Sequence, residues 1–275
     1  MLNLIIAVLM STLISVLMRL SERHGKGRVS MLMFNYMMCT ALAAAFTSFR
    51  PAEGMSTTLS LGLVNGALYL GAFMLLQWNV TSNGVILSST FMKLGVLVPT
   101  LLSLIAFGDV LSVPRVAGLA LTVTAVLLMN SRSGQKTAVK SLPGLLLLLL
   151  VGGMADGMSK VHEQLGNTEL NSLFLLITFG SALILCAAVC VFRRSRVSKW
   201  DVIDGILIAV PNYFSTRFLL ASLNSLPAVI AYPCFSAGVI AVTSLIGAYV
   251  FHERLSRRQW GAMLVIAAAL VLLNL

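Results

Sequence analysis

Ten long apolar runs, separated by short polar segments, dominate this sequence. Each run approaches the roughly 20 residues that a helix needs to cross the hydrocarbon core of a bilayer. Charged residues, glycine and asparagine mark the breaks between the runs. The pattern predicts an all-α integral membrane protein with ten transmembrane helices at residues 2–20, 29–49, 57–78, 84–107, 113–130, 142–161, 170–192, 201–223, 226–251 and 259–275.

The amino-acid composition is also that of a membrane protein and not of a soluble domain. Of the 275 residues, 58% are hydrophobic and 10% are charged, with a mean hydropathy of +0.95, whereas a soluble domain carries about a quarter charged residues. Ten spans use roughly 200–210 positions, which leaves short loops and no separate soluble domain. A cytosolic enzyme, a nucleic-acid-binding protein and a disordered chain are therefore excluded as interpretations.

Two short motifs recur at a nearly constant separation. Residues 19–25 hold a basic residue, Glu and Gly at three-residue spacing, and residues 160–166 repeat that pattern 141 positions later. The acidic-x-Leu-Ser pattern of residues 109–112 recurs at residues 253–256, 144 positions later. One repeat unit then holds five helices, and an odd number of spans forces the second copy to enter the membrane upside down, as in many secondary transporters.

The repeat divides the chain into two halves. We expect a first five-helix repeat at residues 1–130, a cytoplasmic linker at 131–140 and a second, inverted five-helix repeat at 141–275. Lys and Arg number 14 in or beside the odd-numbered loops and 3 in the even-numbered loops. Because cytoplasmic loops collect basic residues, the odd loops are expected in the cytoplasm and both termini outside. The net charge of +10 thus reflects topology and not a nucleic-acid partner.

A longer segment carries a family resemblance. Residues 224–261 begin with Asn-Ser-Leu-Pro-Ala-Val-Ile-Ala and end with His-Glu-Arg-Leu-Ser-Arg-Arg-Gln-Trp-Gly, and residues 83–112 follow the same pattern more loosely. The segment resembles the last two helices of EamA-like members of the drug/metabolite transporter superfamily. The resemblance implies a metabolite carrier with a central cavity between two inverted five-helix halves. It specifies no substrate, because the family spans amino acids, amines, nucleosides, sugars and lipid-linked groups.

Three charged residues lie well inside predicted spans: Lys93, Asp156 and Arg217. A charge at the centre of a membrane helix costs roughly 2.5–3.5 kcal/mol, so such residues usually face the bundle interior. We expect all three in a substrate site, and the excess of cations favours a substrate with an anionic group and Lys93 as its principal contact. The alternative is structural, with Asp156 as the counter-ion of one of the two cations. Lys160, His162 and Glu163 lie at a predicted loop edge and are expected in solvent.

Five neutral polar residues complete the predicted substrate site: Asn35, Asn65, Tyr69, Asn212 and Tyr213. Tyr69 and Tyr213 are 144 residues apart, so the proposed repeat symmetry places both on one cavity axis. The alternative is that these side chains only hydrogen-bond neighbouring helices, each worth about 0.6 kcal/mol on average.

No sequence motif for catalysis, nucleotide binding or a metal site is present, so neither an enzyme activity nor a cofactor is expected. The four cysteines (Cys39, Cys186, Cys190 and Cys234) all fall inside apolar runs, as packing residues do. The sequence therefore predicts a secondary transporter of a small polar metabolite, such as an amino acid or organic acid, in a prokaryotic plasma membrane. Its partners are the bilayer, the substrate and a coupling ion such as the proton. A lipid-carrier flippase and a non-transporting scaffold or sensor are the alternatives.

The charge bias generates a topology prediction. A C-terminal alkaline phosphatase fusion should be active and a C-terminal fluorescent protein fusion dark, because both termini are predicted outside the cytoplasm. Whole-cell phosphatase activity and fluorescence of the two fusions measure this. The reverse result would place the termini inside and overturn the inference from charge.

Overall fold

The protein is all-helical. The computed structural model describes residues 1–21, 28–48, 53–109, 112–130, 140–252 and 256–275, and these contain helices and no strand. The predicted all-α class is confirmed. Residues 131–139 of the predicted linker, and residues 22–25, 110–111 and 253–255 of the repeat motifs, lie outside the described residues.

The described helices follow the predicted runs closely. They are α1 (Leu2–Ser21), α2 (Arg28–Phe46), α3 (Met55–Asn83), α4 (Val85–Leu94), α5 (Leu97–Phe107), α6 (Val113–Asn130), α7 (Leu142–Leu165), α8 (Asn171–Phe192), α9 (Lys199–Leu223), α10 (Ala228–Tyr249) and α11 (Arg257–Leu273). Within the described ranges, eight spans are long and apolar enough to cross a membrane, with α4 and α5 together forming one of them. The remaining two helices, α6 and α11, have 18 and 17 residues, so the count of ten spans stays a prediction.

The surface of the helices fits a lipid environment. Large apolar side chains such as Ile105, Phe192 and Leu264 are 83%, 90% and 75% exposed. Water would oppose this exposure at about 25 cal/mol for each Å², whereas hydrocarbon does not. Together with the long apolar helices, the exposed surface identifies a membrane protein.

The predicted fourth span is broken into α4 and α5 at Gly95. Pro99 has no N–H to donate to the carbonyl of Gly95, the acceptor four residues back. Val98 donates to that carbonyl instead, at 2.9 Å, in the tighter i to i+3 pattern. The break lies two residues after Lys93, and a methyl group placed at Gly95 would lie 3.2 Å from the backbone nitrogen of Gly153 in α7.

The described chain forms two compact units that interleave along the sequence. The first unit contains residues 1–70 and 161–225, and the second contains residues 71–160 and 226–275. Each unit therefore takes helices from both predicted repeats. Helices α3 and α7 each pass from one unit to the other.

In the first unit, α2 packs against α8 and α9. Cys186 contacts the carbonyl of Val29 at 3.5 Å, and the rings of Tyr36 and Phe179 meet at 6.3 Å. Residue numbers rise along α2 as they fall along α8, so these helices are antiparallel.

Helices α2 and α9 run in the same direction, as their contacts show. Ser30 donates to Asp201 at 2.7 Å near the start of both helices, and Phe46 contacts Arg217 near the end of both. The two helices are therefore parallel. Asp201 also accepts from the backbone N–H of Ser198 in the capping box that begins α9, which fixes its carboxylate beside Ser30.

Glycine permits the backbone of α3 to touch α8. A methyl group at Gly62 would lie 2.8 Å from Cβ of Ile177. One at Gly66 would lie 2.5 Å from the Thr178 carbonyl oxygen and 2.8 Å from the Ala182 nitrogen. Small residues that allow such approaches are typical of membrane helix interfaces, where packing replaces the hydrophobic effect.

A similar contact joins α9 to α2. A methyl group at Gly205 would lie 2.5 Å from the Met31 carbonyl oxygen and 2.9 Å from Cβ of Phe34.

In the second unit, α6 packs against α11 in the same manner, with Gly118 against the backbone of Ala269 and Leu273. A buried apolar core joins α6, α10 and α11, and its members are Ala125, Val126, Ala237, Ile240 and Ile266.

The glycine contacts generate a stability prediction. Gly66→Ala should lower the melting temperature in detergent, because the added methyl group meets backbone atoms of α8 that cannot move independently; overpacking of this kind costs about 1–3 kcal/mol. Gly261→Ala is the matched control, since nothing lies within 4 Å of a methyl group there. It should be neutral or slightly stabilising. Equal melting temperatures for the two variants would contradict the close packing of α3 on α8.

Candidate functional site

The structure places the eight predicted site residues in two groups. Six lie in the first unit: Asn35, Asn65, Tyr69, Asn212, Tyr213 and Arg217. Lys93 and Asp156 lie in the second unit.

A connected set of rings forms the centre of the first group. Phe179 of α8 lies 6.3 Å from Tyr36, 6.1 Å from Tyr69 and 6.3 Å from Tyr213, measured between ring centroids. Tyr213 in turn stacks on Phe46 at 5.9 Å. We call these five residues the aromatic cluster. Tyr69 and Tyr213 both contact the ring of Phe179. No sequence pattern distinguishes Phe46 or Phe179 from the other aromatic residues in apolar runs.

Arg217 lies on the edge of the aromatic cluster. Its Nη1 donates to the hydroxyl of Tyr213, one helical turn earlier, at 2.7 Å, and its Cζ lies 4.5 Å from the centroid of Phe46. The guanidinium group thus turns back along α9 and away from the helix end at Leu223. Arg217 forms no ion pair with any described residue, so its charge is stabilised there by cation–π contact and one hydrogen bond.

Two amides connect α2 and α9 beside the aromatic cluster. Asn212 donates to Oδ1 of Asn35 at 2.9 Å, and Sγ of Cys39 contacts the Ala209 carbonyl at 3.4 Å. Asn35 is 3% exposed, yet its Nδ2 has no hydrogen-bond partner in the described chain. The Asn35–Asn212 pair therefore holds helices together and still leaves one buried donor unused.

Asn65 on α3 also has a buried polar atom without a hydrogen-bond partner. Its side chain is 1% exposed and its Oδ1 lacks a partner among the described residues. The hydroxyl of Thr178, on the facing surface of α8, is also buried and unpartnered. Buried polar atoms normally find partners, so each is an unfilled hydrogen-bonding position.

Lys93 and Asp156 are both exposed on the second unit. Lys93 occupies the last turn of α4, beside the break at Gly95, and Asp156 lies one turn after Gly153 in α7. Neither forms an ion pair with any described residue, so Asp156 is not the counter-ion of Lys93. The hydroxyl of Tyr232, a residue that the sequence did not single out, donates to the backbone carbonyl of Asp156 at 2.9 Å.

The expectation that Lys160 and His162 lie in solvent is wrong. Helix α7 continues to Leu165, beyond the predicted end at 161, so both residues lie within it. Lys160 is 3% exposed and its Nζ lies 5.9 Å from the ring of Phe107. The helical spacing from the buried Met158 would have indicated His162 as a core position, but its polarity suggested a loop.

His162 is fully buried in the first unit. Its Nε2 lies 3.2 Å from the hydroxyl of Thr58, and its ring stacks on Phe174 at 4.3 Å. Nδ1 has no partner within the described ranges, and neither has Oδ1 of Asn171. Glu163, the third residue of this group, is half-buried.

All four cysteines are free thiols buried in the helices. No group of three or more His, Cys, Asp and Glu side chains among the described residues has the arrangement of a metal site.

Two comparisons with known proteins cover more than nine-tenths of the chain. No protein-family profile matches it. An uncharacterized protein of Haemophilus influenzae is 24% identical over 274 residues, with 94% of this chain and 92% of that protein covered. A crystal structure is similar with a TM-score of 0.78 at 14% identity, over 98% of this chain and 94% of the other. The structural likeness shows a shared fold.

The burial of His162 generates a labelling prediction. Diethyl pyrocarbonate should modify His252, which is exposed after α10, and leave His162 unmodified in the folded protein. Mass spectrometry of peptides from the native protein and from the denatured protein measures both sites. Equal labelling of the two histidines in the native protein would contradict the buried position of His162.

Proposed function

We propose that this protein is a secondary transporter of a small polar metabolite, built as two inverted five-helix repeats of the drug/metabolite transporter type. It would act by alternating access in a prokaryotic plasma membrane, driven by a gradient of the substrate or of an ion such as the proton. The internal symmetry of the helix contacts and three charged side chains support this function.

Matching helix contacts support the inverted repeat. Gly62 and Gly205 are 143 residues apart, and so are the side chains they meet, Ile177 and Phe34. The contact of α3 with α8 is thus a copy of the contact of α9 with α2. Under this relation α8 is the copy of α2, and the two run antiparallel, as inversion requires.

The aromatic cluster follows the same relation. Tyr36 and Phe179 are 143 residues apart, and Tyr69 and Tyr213 are 144 apart. Four of its five rings are therefore two repeat-related pairs that meet around Phe179. The pseudo-two-fold axis of the proposed repeat therefore lies near these rings. Transporters of this architecture bind their substrates at the interface of the two repeats.

The unpaired charges inside apolar spans are the observation that carries the proposal. Lys93, Asp156 and Arg217 form no ion pair with described residues, although each costs roughly 2.5–3.5 kcal/mol near the centre of a membrane helix. A passive scaffold gains nothing from them. Side chains of this kind usually line a polar pathway through the bundle.

Under the proposed repeat, the two cations occur in one half only. A shift of 144 residues puts Ala237 at the position of Lys93 and Phe73 at the position of Arg217. Both repeat equivalents are apolar, so neither cation has a charged counterpart in the other half. Lys93 and Arg217 are therefore not part of the repeated pattern, as expected of residues in a substrate or coupling site.

Neutralising these charges should reduce transport. In proteoliposomes, Lys93→Met and Asp156→Asn should each lower counterflow of the substrate found by a thermal-shift screen by at least about tenfold, because a lost charge contact of 1.4 kcal/mol or more has this effect. Lys199→Met, at the exposed start of α9, is the matched control and should transport normally.

Two outcomes would overturn the proposal. If neither variant differs from the control, the charges are structural. If the protein moves a fluorescent lipid between leaflets and no water-soluble metabolite, the flippase alternative replaces the metabolite transporter.

A further inference from the structure

Arg217 has more hydrogen-bond donors than its surroundings use. A guanidinium group carries five N–H donors in a planar fork. One engages the hydroxyl of Tyr213, and Cζ of the group lies 4.5 Å from the centroid of the Phe46 ring. The other donors of the group have no hydrogen-bond partner among the described residues, which provide no carboxylate for them either.

A second unused donor lies on the same pair of helices. Nδ2 of Asn35 is buried and unpartnered, while Oδ1 of that residue is held by Asn212, five residues before Arg217 on α9. Five residues correspond to about 7.5 Å along a helix, and the Arg217 side chain turns back along α9 towards Tyr213, the residue next to Asn212. The side of the first unit formed by α2 and α9 thus has donors without acceptors.

We propose that Arg217 binds an oxyanion group, a carboxylate or a phosphate, on a small solute, and that Asn35 supplies a second donor to the same solute. This inference deepens the proposed transport function and rests on it, because it assigns the substrate class. It also replaces Lys93 with Arg217 as the principal anion contact.

The chemistry of the two cations supports this assignment. The planar fork of arginine matches the two oxygens of a carboxylate, whereas a lysine ammonium group acts as a point charge. Contacts with Phe46 and Tyr213 hold the Arg217 fork in one orientation before a ligand arrives, which reduces the entropy lost on binding. Phe46 is 47% exposed and Arg217 is half-buried, so the group is not sealed between the helices.

Three probes with the same ring and different head groups isolate the oxyanion. Benzoate is an anion, benzamide is neutral and benzylamine is a cation at pH 7. Isothermal titration calorimetry of the full-length protein in a neutral detergent should show binding of benzoate at least about tenfold tighter than of either of the others, since only the carboxylate accepts two charge-assisted hydrogen bonds.

Variants then locate the contact. Arg217→Gln should remove the preference for benzoate. Arg217→Lys keeps the positive charge and loses the fork, so benzoate affinity should fall by about threefold to tenfold; this variant carries the test if Arg217→Gln does not fold. Arg193→Gln, at the exposed end of α8, is the matched control and should bind benzoate as the wild type does.

The source of the oxyanion is tested in nanodiscs. If benzoate binds equally well in phosphatidylcholine and in phosphatidylglycerol discs, the site takes a solute. If phosphatidylglycerol abolishes benzoate binding and Arg217→Gln removes that competition, the site holds a lipid phosphate and the assignment to a solute is wrong.

Other outcomes separate this inference from the transport function. Benzoate binding that survives Arg217→Gln and is lost in Lys93→Met would overturn the role of Arg217 and leave transport intact. Equal affinity for all three probes would overturn the anion class. Benzoate binding that depends on Arg217, in a protein without counterflow of any bound solute, would support the site and refute the transporter.

Discussion

Hydrocarbon provides no hydrogen-bond partner, and this property of the solvent governs most of the structure. Backbone groups are satisfied inside each helix, so helices associate through close packing and a few polar contacts. Gly66 and Gly205 allow backbones to touch, and the helices they join carry the aromatic cluster. The position of Tyr213 against Phe179 therefore depends on residues that have no side chain at all.

The same solvent explains how polar side chains are distributed. Asp201 is buried with two donors, from Ser30 and from the backbone of Ser198, and is fully accounted for by helix capping and packing. Arg217 is held in position by the ring of Phe46 and the hydroxyl of Tyr213. These contacts occupy one of its five N–H donors. The hydrogen bonds that each group makes thus distinguish Asp201, a structural charge, from Arg217, a candidate binding group, although both lie on α9.

Sequence reasoning predicted the helices well because hydropathy reports directly on the solvent that each run must face. It located Tyr69 and Tyr213 through the repeat, and the structure brings both against one ring. It missed Phe179 and Phe46, because an aromatic residue in an apolar run has no distinguishing pattern. It misplaced His162, since polar residues occur near the end of an apolar run both where the helix stops and where it continues for another turn.

The interleaving of the two compact units constrains how the chain is made. The first unit needs residues 1–70 and 161–225, so α1 and α2 enter the membrane long before α9 exists. At about 5–20 residues per second, synthesis of the intervening chain takes roughly 8–30 s. During that interval Asn35 and the backbone beside Met31 lack the partners that α9 later supplies. Biogenesis thus requires early helices to wait in the bilayer or the insertion machinery, and a ribosome that stops before residue 225 leaves neither unit complete.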